Sequence, residues 1–141
     1  MTVIVVAEKR SAAKNFADAL GGSKGTYKGT KYEVVSLSGH LYEFVHPHEM
    51  LKDPSKREEI RVWDLDTLPW DPNQFTWKRK MGRGQSSLIS SLRKRLQAKD
   101  VTEIVNGADL DPTGEGDLLF WEVMDELNLH HKKFTRMEFV D

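Results

Sequence analysis

Three carboxylates in this sequence stand where a charged ligand is most easily met. Glu8 closes the apolar run Val3-Ile4-Val5-Val6-Ala7, and Asp109 and Asp111 follow Glu103-Ile104-Val105-Asn106-Gly107-Ala108. Two aspartates at i and i+2 on a tight turn can converge on one Mg²⁺, a cation that takes one or two carboxylates and completes its shell with water and phosphate oxygens. The spacing does not carry this alone, because Asp64-Leu65-Asp66 repeats the same spelling with no apolar strand before it and no glycine after it. Asp111 has a second reading, since an aspartate before Pro112 makes a good helix N-cap with proline at the first helical position. Both readings stand at this point. Lys9 can steady negative charge on a phosphate in a transition state, or it can be a solvated lysine at a helix start.

Other residues suggest phosphate and base contacts. Gly82-Arg83-Gly84 precedes a basic segment, so its amides and Arg83 suit a phosphate at a helix N-terminus. Trp70, Phe75 and Trp77 run into Lys78-Arg79-Lys80, an aromatic and basic interleaving that stacks single-stranded bases; core packing explains the aromatics equally well. Zinc is disfavoured for His46, His48, His130 and His131, because there is no cysteine and no i, i+4 histidine pair. No Walker A, G-x-S-x-G or G-x-G-x-x-G spelling occurs, which weighs against nucleotide-dependent and serine-hydrolase chemistry.

The elements that must position these groups follow from the apolar pattern. Thr2 to Ala7 is short, β-branched and continuously apolar, as expected of a strand buried on both faces of a parallel sheet. Ala13, Phe16, Ala17 and Leu20 form one helical stripe, which Gly21 and Gly22 terminate. Tyr32 to Leu37 predicts a second strand, with Gly39-His40-Leu41 as a turn after it. His46 to Trp77 holds four of the five prolines and three of the four tryptophans, so it predicts an ordered excursion with few regular elements. Gln85 to Ala98 predicts a basic amphipathic helix on the stripe Leu88, Ile89, Leu92, Leu96. A strand over Glu103 to Ala108 follows, then a helix on Phe120, Val123, Met124 and Leu127, and a last strand over Phe134 to Val140. Strands alternating with helices predict an α/β fold with a mostly parallel sheet flanked by helices, and in such sheets ligands gather at the strand carboxyl ends.

Composition bounds the class. The 141 residues carry 21 Lys plus Arg against 22 Asp plus Glu and no cysteine, which predicts one soluble domain that folds without disulfides. The longest apolar run is far below the ~20 residues a membrane span needs, and a cytoplasmic protein is the expectation. The charges are sorted along the chain: Phe75 to Lys99 holds eight basic residues and no acidic one, and Asp100 to Leu129 holds nine acidic and no basic. A basic surface invites phosphates, whereas an acidic one repels them unless a divalent cation intervenes.

Taken together these segments resemble a known family. Val6-Ala7-Glu8-Lys9-Arg10-Ser11 resembles the A-E-K-P-S opening of type IA DNA topoisomerases, closest to the topoisomerase III branch. Tyr32-Glu33-Val34 with Gly39-His40-Leu41 is similar to that family's strand and G-H-L motif, and Leu68-Pro69-Trp70 with Phe75-Thr76-Trp77-Lys78 to its L-P and W-K segment. Asp109-Leu110-Asp111-Pro112-Thr113-Gly114-Glu115 resembles the Toprim signature D-x-D-x-E-G-E, with Thr113 where the signature has its third acid. Phe134-Thr135-Arg136-Met137-Glu138-Phe139 is similar to the F-x-R-x-x-F strand that ends the domain. The resemblance implies a single Rossmann-like Toprim domain over residues 1–141, the N-terminal part of a larger enzyme whose nucleophilic tyrosine lies elsewhere. It implies Glu8 as general acid or base, Lys9 as a stabiliser of phosphate charge, and Asp109, Asp111 and Glu115 around Mg²⁺, bound more weakly for want of the third acid. It further implies contacts to single-stranded DNA at His40, Lys78, Arg79, Lys80, Arg83 and Arg93. Competing expectations are a primase- or nuclease-type Toprim enzyme, a non-catalytic DNA-binding module, and, more distantly, a phosphoacceptor domain.

Overall fold

The computed structural model describes residues 1–139. Along the chain run β1 (Thr2–Ala7), α1 (Arg10–Leu20), β2 (Lys24–Tyr27), β3 (Thr30–Ser36), β4 (Tyr42–Phe44), α2 (Pro47–Met50), α3 (Arg57–Arg61), β5 (Arg79–Met81), α4 (Ser86–Leu96), β6 (Val101–Gly107), α5 (Glu115–Glu126) and β7 (Lys133–Arg136). They form two compact units, one of residues 1–41 with 83–139 and one of Tyr42–Gly82. Among the described residues no helix is long and apolar enough to cross a membrane.

The larger unit is a mixed α/β layer structure on a five-stranded sheet of order β2-β3-β1-β6-β7. β1 lies at the centre, parallel to β3 and β6, and β7 continues the parallel ladder on β6. Ile4, Val6 and Ala7 are wholly buried, as the unbroken apolar run requires of a strand covered on both faces. β2 is antiparallel to β3 through the two-residue turn Lys28-Gly29. Both turn residues have positive φ (46° and 81°), the geometry that matches the twist of a hairpin and for which glycine suits the second position. α4 buries Ile89, Leu92 and Leu96, and α5 buries Phe120, Val123 and Met124, with Leu127 and Leu129 just beyond, so the apolar stripes read from the sequence face the core. α1 stops at Gly21-Gly22 as expected.

In the larger unit three elements differ from the sequence reading. β2 was not foreseen, because Lys-Gly-Thr-Tyr is exposed throughout and shows no alternation. The helix after Asp111 begins at Glu115 rather than at Pro112. The last strand, expected over Phe134 to Val140, is Lys133–Arg136; Met137 makes one more bond to the Asn106 carbonyl (3.0 Å), after which β6 itself has ended. Val140 lies outside the described residues.

The unit Tyr42–Gly82 is the proline-rich excursion, and it has a core of its own: Met50, Leu51, Ile60 and Phe75, with Val45 and Trp70 packed on it. β4 and β5 form a short antiparallel pair. Asp53, Asp64 and Asp71 each accept a bond from the amide two residues on (3.0, 3.0 and 2.9 Å), so aspartate turns substitute for longer elements. The second Asp-Leu-Asp thus serves as a turn.

In the larger unit Arg95 of α4 ties three elements together. Its Nε donates to Glu33 of β3 (2.7 Å) and its two terminal nitrogens form a fork on Asp100, ahead of β6 (3.0 Å each). The guanidinium, donating to Asp100 and Glu33, holds both carboxyls below their usual range, and Glu33 is largely buried. A depressed carboxyl stabilises the fold above its unfolded pKa and loses that contribution as pH falls through the folded value. Arg95→Leu is therefore expected to cost ~1–2 kcal/mol at neutral pH, the scale of a lost charge-assisted hydrogen bond. In urea melts that gap narrows steadily as pH is lowered past the carboxylate range.

Candidate active site

The site is built by register. Ala7 of β1 lies opposite Gly107 of β6 in the parallel ladder, so both strands end together and release Glu8 and Asp109 at the same edge. The Asp109 amide donates to Glu8 Oε2 at 3.1 Å, which fixes the glutamate across the strand boundary. On the other side of β1 the ladder to β3 runs to Ser36, with Leu37 N–H on the Ala7 carbonyl (2.8 Å), and the turn carrying His40 follows. Strand order alone thus brings His40, Glu8, Lys9, Asp109 and Asp111 to one carboxyl edge.

Each carboxylate at this edge has a partner. Lys9 Nζ lies 2.9 Å from Asp109 Oδ2, with the lysine more than half exposed and the aspartate one-third exposed. Asp111 accepts bonds at Oδ1 from the Thr113 hydroxyl (2.5 Å), the Thr113 amide (2.9 Å) and the Glu115 amide (3.2 Å), and at Oδ2 from the Gly116 amide (3.0 Å). Those donors, the Thr113 hydroxyl foremost and then the Gly116 amide, hold its carboxyl down to about 2. Asp111 therefore closes the first turn of α5 in the manner of a cap, although the helix starts later than the proline implied. Glu115 Oε1 faces His40 Nε2 at 3.3 Å, and His40 Nδ1 lies 3.8 Å from Glu122 Oε2. The N-termini of α1 and α5 open onto this edge, and their partial positive charge favours the carboxylates gathered there.

Gly116 allows the approach. A Cβ at this position would fall 2.5 Å from the Asp109 carbonyl oxygen and 3.2 Å from Glu8 Oε2, so only glycine lets the helix start sit against both groups. Behind the edge, Arg136 Nη1 donates to the carbonyls of Asn106 (3.0 Å) and Ala108 (2.7 Å) and to Asn106 Oδ1 (3.2 Å). Asn106 in turn donates to Asp117 of α5 (2.7 Å) and accepts from the Ala108 amide (3.1 Å). This clamp sets the path of the chain from β6 to Asp109. A cleft of about 320 Å³ opens at Lys9 and Asp109, lined also by Ser11, Asn15, Phe16 and Phe139.

A family model described as the Toprim domain matches residues 3–141. The chain belongs to the Toprim family. No curated protein matches it. Toprim domains occur in topoisomerases, primases and nucleases, enzymes that act on nucleic acids, and they bind Mg²⁺ in general. In this Toprim domain the carboxylates do not form a cation cage: Asp109 meets an ammonium, Asp111 meets amides and a hydroxyl, and Glu115 meets an imidazole. Among the described residues no three His, Asp or Glu side chains are arranged to hold a metal ion.

The residues expected to contact nucleic acid are spread over both units. Arg83 and Arg93 are exposed in the larger unit, while Lys78, Arg79 and Lys80 lie on or beside β5. Lys80 Nζ is 3.6 Å from Glu43, and Arg79 lies over the Phe44 ring at 5.9 Å. Phe75 is buried and Trp70 packs on its core, so two of the three aromatics read as stacking candidates are structural; Trp77 is half exposed and meets the equally exposed Phe44 edge-to-face at 5.5 Å. Sequence reasoning missed the positioning roles of Asn106, Arg136 and Gly116. Arg136 had a signal in the F-x-R spelling, whereas Asn106 looked like an ordinary strand residue. Arg136→Met, which removes the donors, takes the side-chain partner from the Ala108 carbonyl, while the Asn106 carbonyl keeps the Met137 amide; it is expected to cost ~1–3 kcal/mol in denaturant unfolding and to shift the Glu8 and Asp109 backbone amide resonances most among the site residues.

Proposed function

We propose that this Toprim domain is the N-terminal part of a topoisomerase III-like type IA DNA topoisomerase, serving cleavage and religation of single-stranded DNA. The observation that carries the reading is Glu8, held at the carboxyl edge by the Asp109 amide with Lys9 beside it. In the transesterification a tyrosine phenolate from elsewhere in the enzyme attacks phosphorus, the phosphorus–O3′ bond breaks, and the 3′-oxygen needs a proton. Protonated Glu8 supplies it, and the resulting carboxylate takes it back when the 3′-hydroxyl attacks the phosphotyrosine to reseal the strand. Lys9 neutralises charge on the phosphoryl oxygens. The G-H-L and F-x-R segments favour this branch over primases and nucleases, and the family match over residues 3–141 supports treating both units as one Toprim module.

Single-stranded DNA is the partner that the unit Tyr42–Gly82 suits. Trp77 and Phe44 are half-exposed aromatics beside Arg79, the residue types that stack unpaired bases without sequence preference. The chain alone is expected to bind a single-stranded oligonucleotide, leave supercoiled plasmid unrelaxed, and neither nick DNA nor incorporate nucleotides. Joined to a tyrosine-bearing topoisomerase body it relaxes the plasmid, and Glu8→Gln lowers that rate ~10²–10⁴-fold, the usual worth of a positioned proton donor, with oligonucleotide binding retained. Relaxation indifferent to Glu8→Gln contradicts the assignment, and nicking or nucleotide incorporation by the chain alone favours a nuclease or primase instead.

A further inference from the structure

The aspartates that the family would use for a divalent cation already have partners within the chain itself. Asp109 Oδ2 has an ammonium at 2.9 Å, and both oxygens of Asp111 are taken by four donors of its own loop and helix start. The acid that would have added a third charge is Thr113, and its hydroxyl is one of those donors rather than a ligand. Of the two aspartates, only Asp109 can be freed without dismantling secondary structure, because its partner is a flexible, mostly exposed side chain. A divalent cation and a lysine ammonium compete for that carboxylate, because at such close range the two positive charges repel.

We infer that Lys9 is a built-in competitor for the cation position, so that a divalent ion binds this Toprim domain only by displacing the Lys9 ammonium from Asp109. The affinity of the resting site for Mg²⁺ is then set by Lys9 as much as by the carboxylates. An anion that draws Lys9 away, such as a nucleic-acid phosphate, frees Asp109, and by linkage cation and phosphate then help each other bind. The inference rests on the reading of this edge given above. Its test measures cation affinity without nucleic acid or turnover, so failure here leaves the proton transfer by Glu8 to its own assay.

The experiment is calorimetric titration of Mg²⁺ into the purified chain, with backbone amide spectra to confirm that each variant is folded. Lys9→Met is expected to bind Mg²⁺ at least tenfold more tightly than the wild type, and Lys9→Arg, which keeps a cation there, to stay within threefold of it. Lys14→Met removes a lysine paired with Asp18, outside the candidate site, and should leave affinity unchanged, which separates a local effect from net charge. Adding Asp109→Asn to Lys9→Met should erase the gain. Equal affinity in wild type and Lys9→Met, a gain of the same size in Lys14→Met or Lys9→Arg, a gain that survives Asp109→Asn, or no detectable Mg²⁺ binding in any variant each overturns the inference.

Discussion

The parallel pairing of β1 with β6 is the constraint on which the rest of this structure depends. Because Ala7 sits opposite Gly107, the two strands end level, and the residues that follow them emerge as neighbours although they are a hundred positions apart in sequence. A slip of one residue would turn Glu8 toward the other face of the sheet and separate it from the Asp109 amide. The buried, β-branched run of β1 makes such a slip costly, since it would move Ile4 and Val6 relative to both neighbours. Register is thus fixed by the hydrophobic core, and the site inherits its geometry from that core.

Bringing carboxylates together creates an electrostatic problem that the chain solves with its own groups. Lys9 answers Asp109, the first amides of α5 answer Asp111, and His40 lies within reach of Glu115 and Glu122. Lys9 and His40 reach their carboxylates from other strand ends, while the α5 amides follow the loop whose aspartate they meet. Arg136 and Asn106 do the complementary task from behind: Arg136 donates to the Asn106 and Ala108 carbonyls, and Asn106 Oδ1 accepts from the Ala108 amide in the bend that presents Asp109. Glu8, like Asp111, is met by a backbone amide, whereas Asp109 and Glu115 meet the Lys9 and His40 side chains.

Much of this was legible from residue types. The central strand, the glycine stop of α1, the core stripes of α4 and α5 and the placement of Glu8 and Asp109 at strand ends all follow from apolar periodicity, because burial dictates it. What did not follow depended on geometry that periodicity does not encode. β2 is a polar edge strand whose only signal is the Lys28-Gly29 turn, and the start of α5 was displaced because the Asp111 carboxylate reaches past Pro112 to amides further along. Phe75 and Trp77 are two residues apart in one aromatic run, yet one fills a core and the other is exposed; composition alone could not divide them. The motif resemblance identified the acidic residues, but their bonding partners appear only once the chain is folded.

The central claim is that the Glu8 carboxylate is bonded to the Asp109 amide at the sheet edge, and an NMR pH titration tests it most directly. The amide proton and nitrogen of Asp109 should report the protonation of Glu8, moving with the same midpoint as the Glu8 carboxyl carbon, and that component should vanish in Glu8→Gln. An Asp109 amide that ignores the Glu8 titration, or that titrates unchanged in Glu8→Gln, would contradict the arrangement and with it the assignment of Glu8 as the proton carrier.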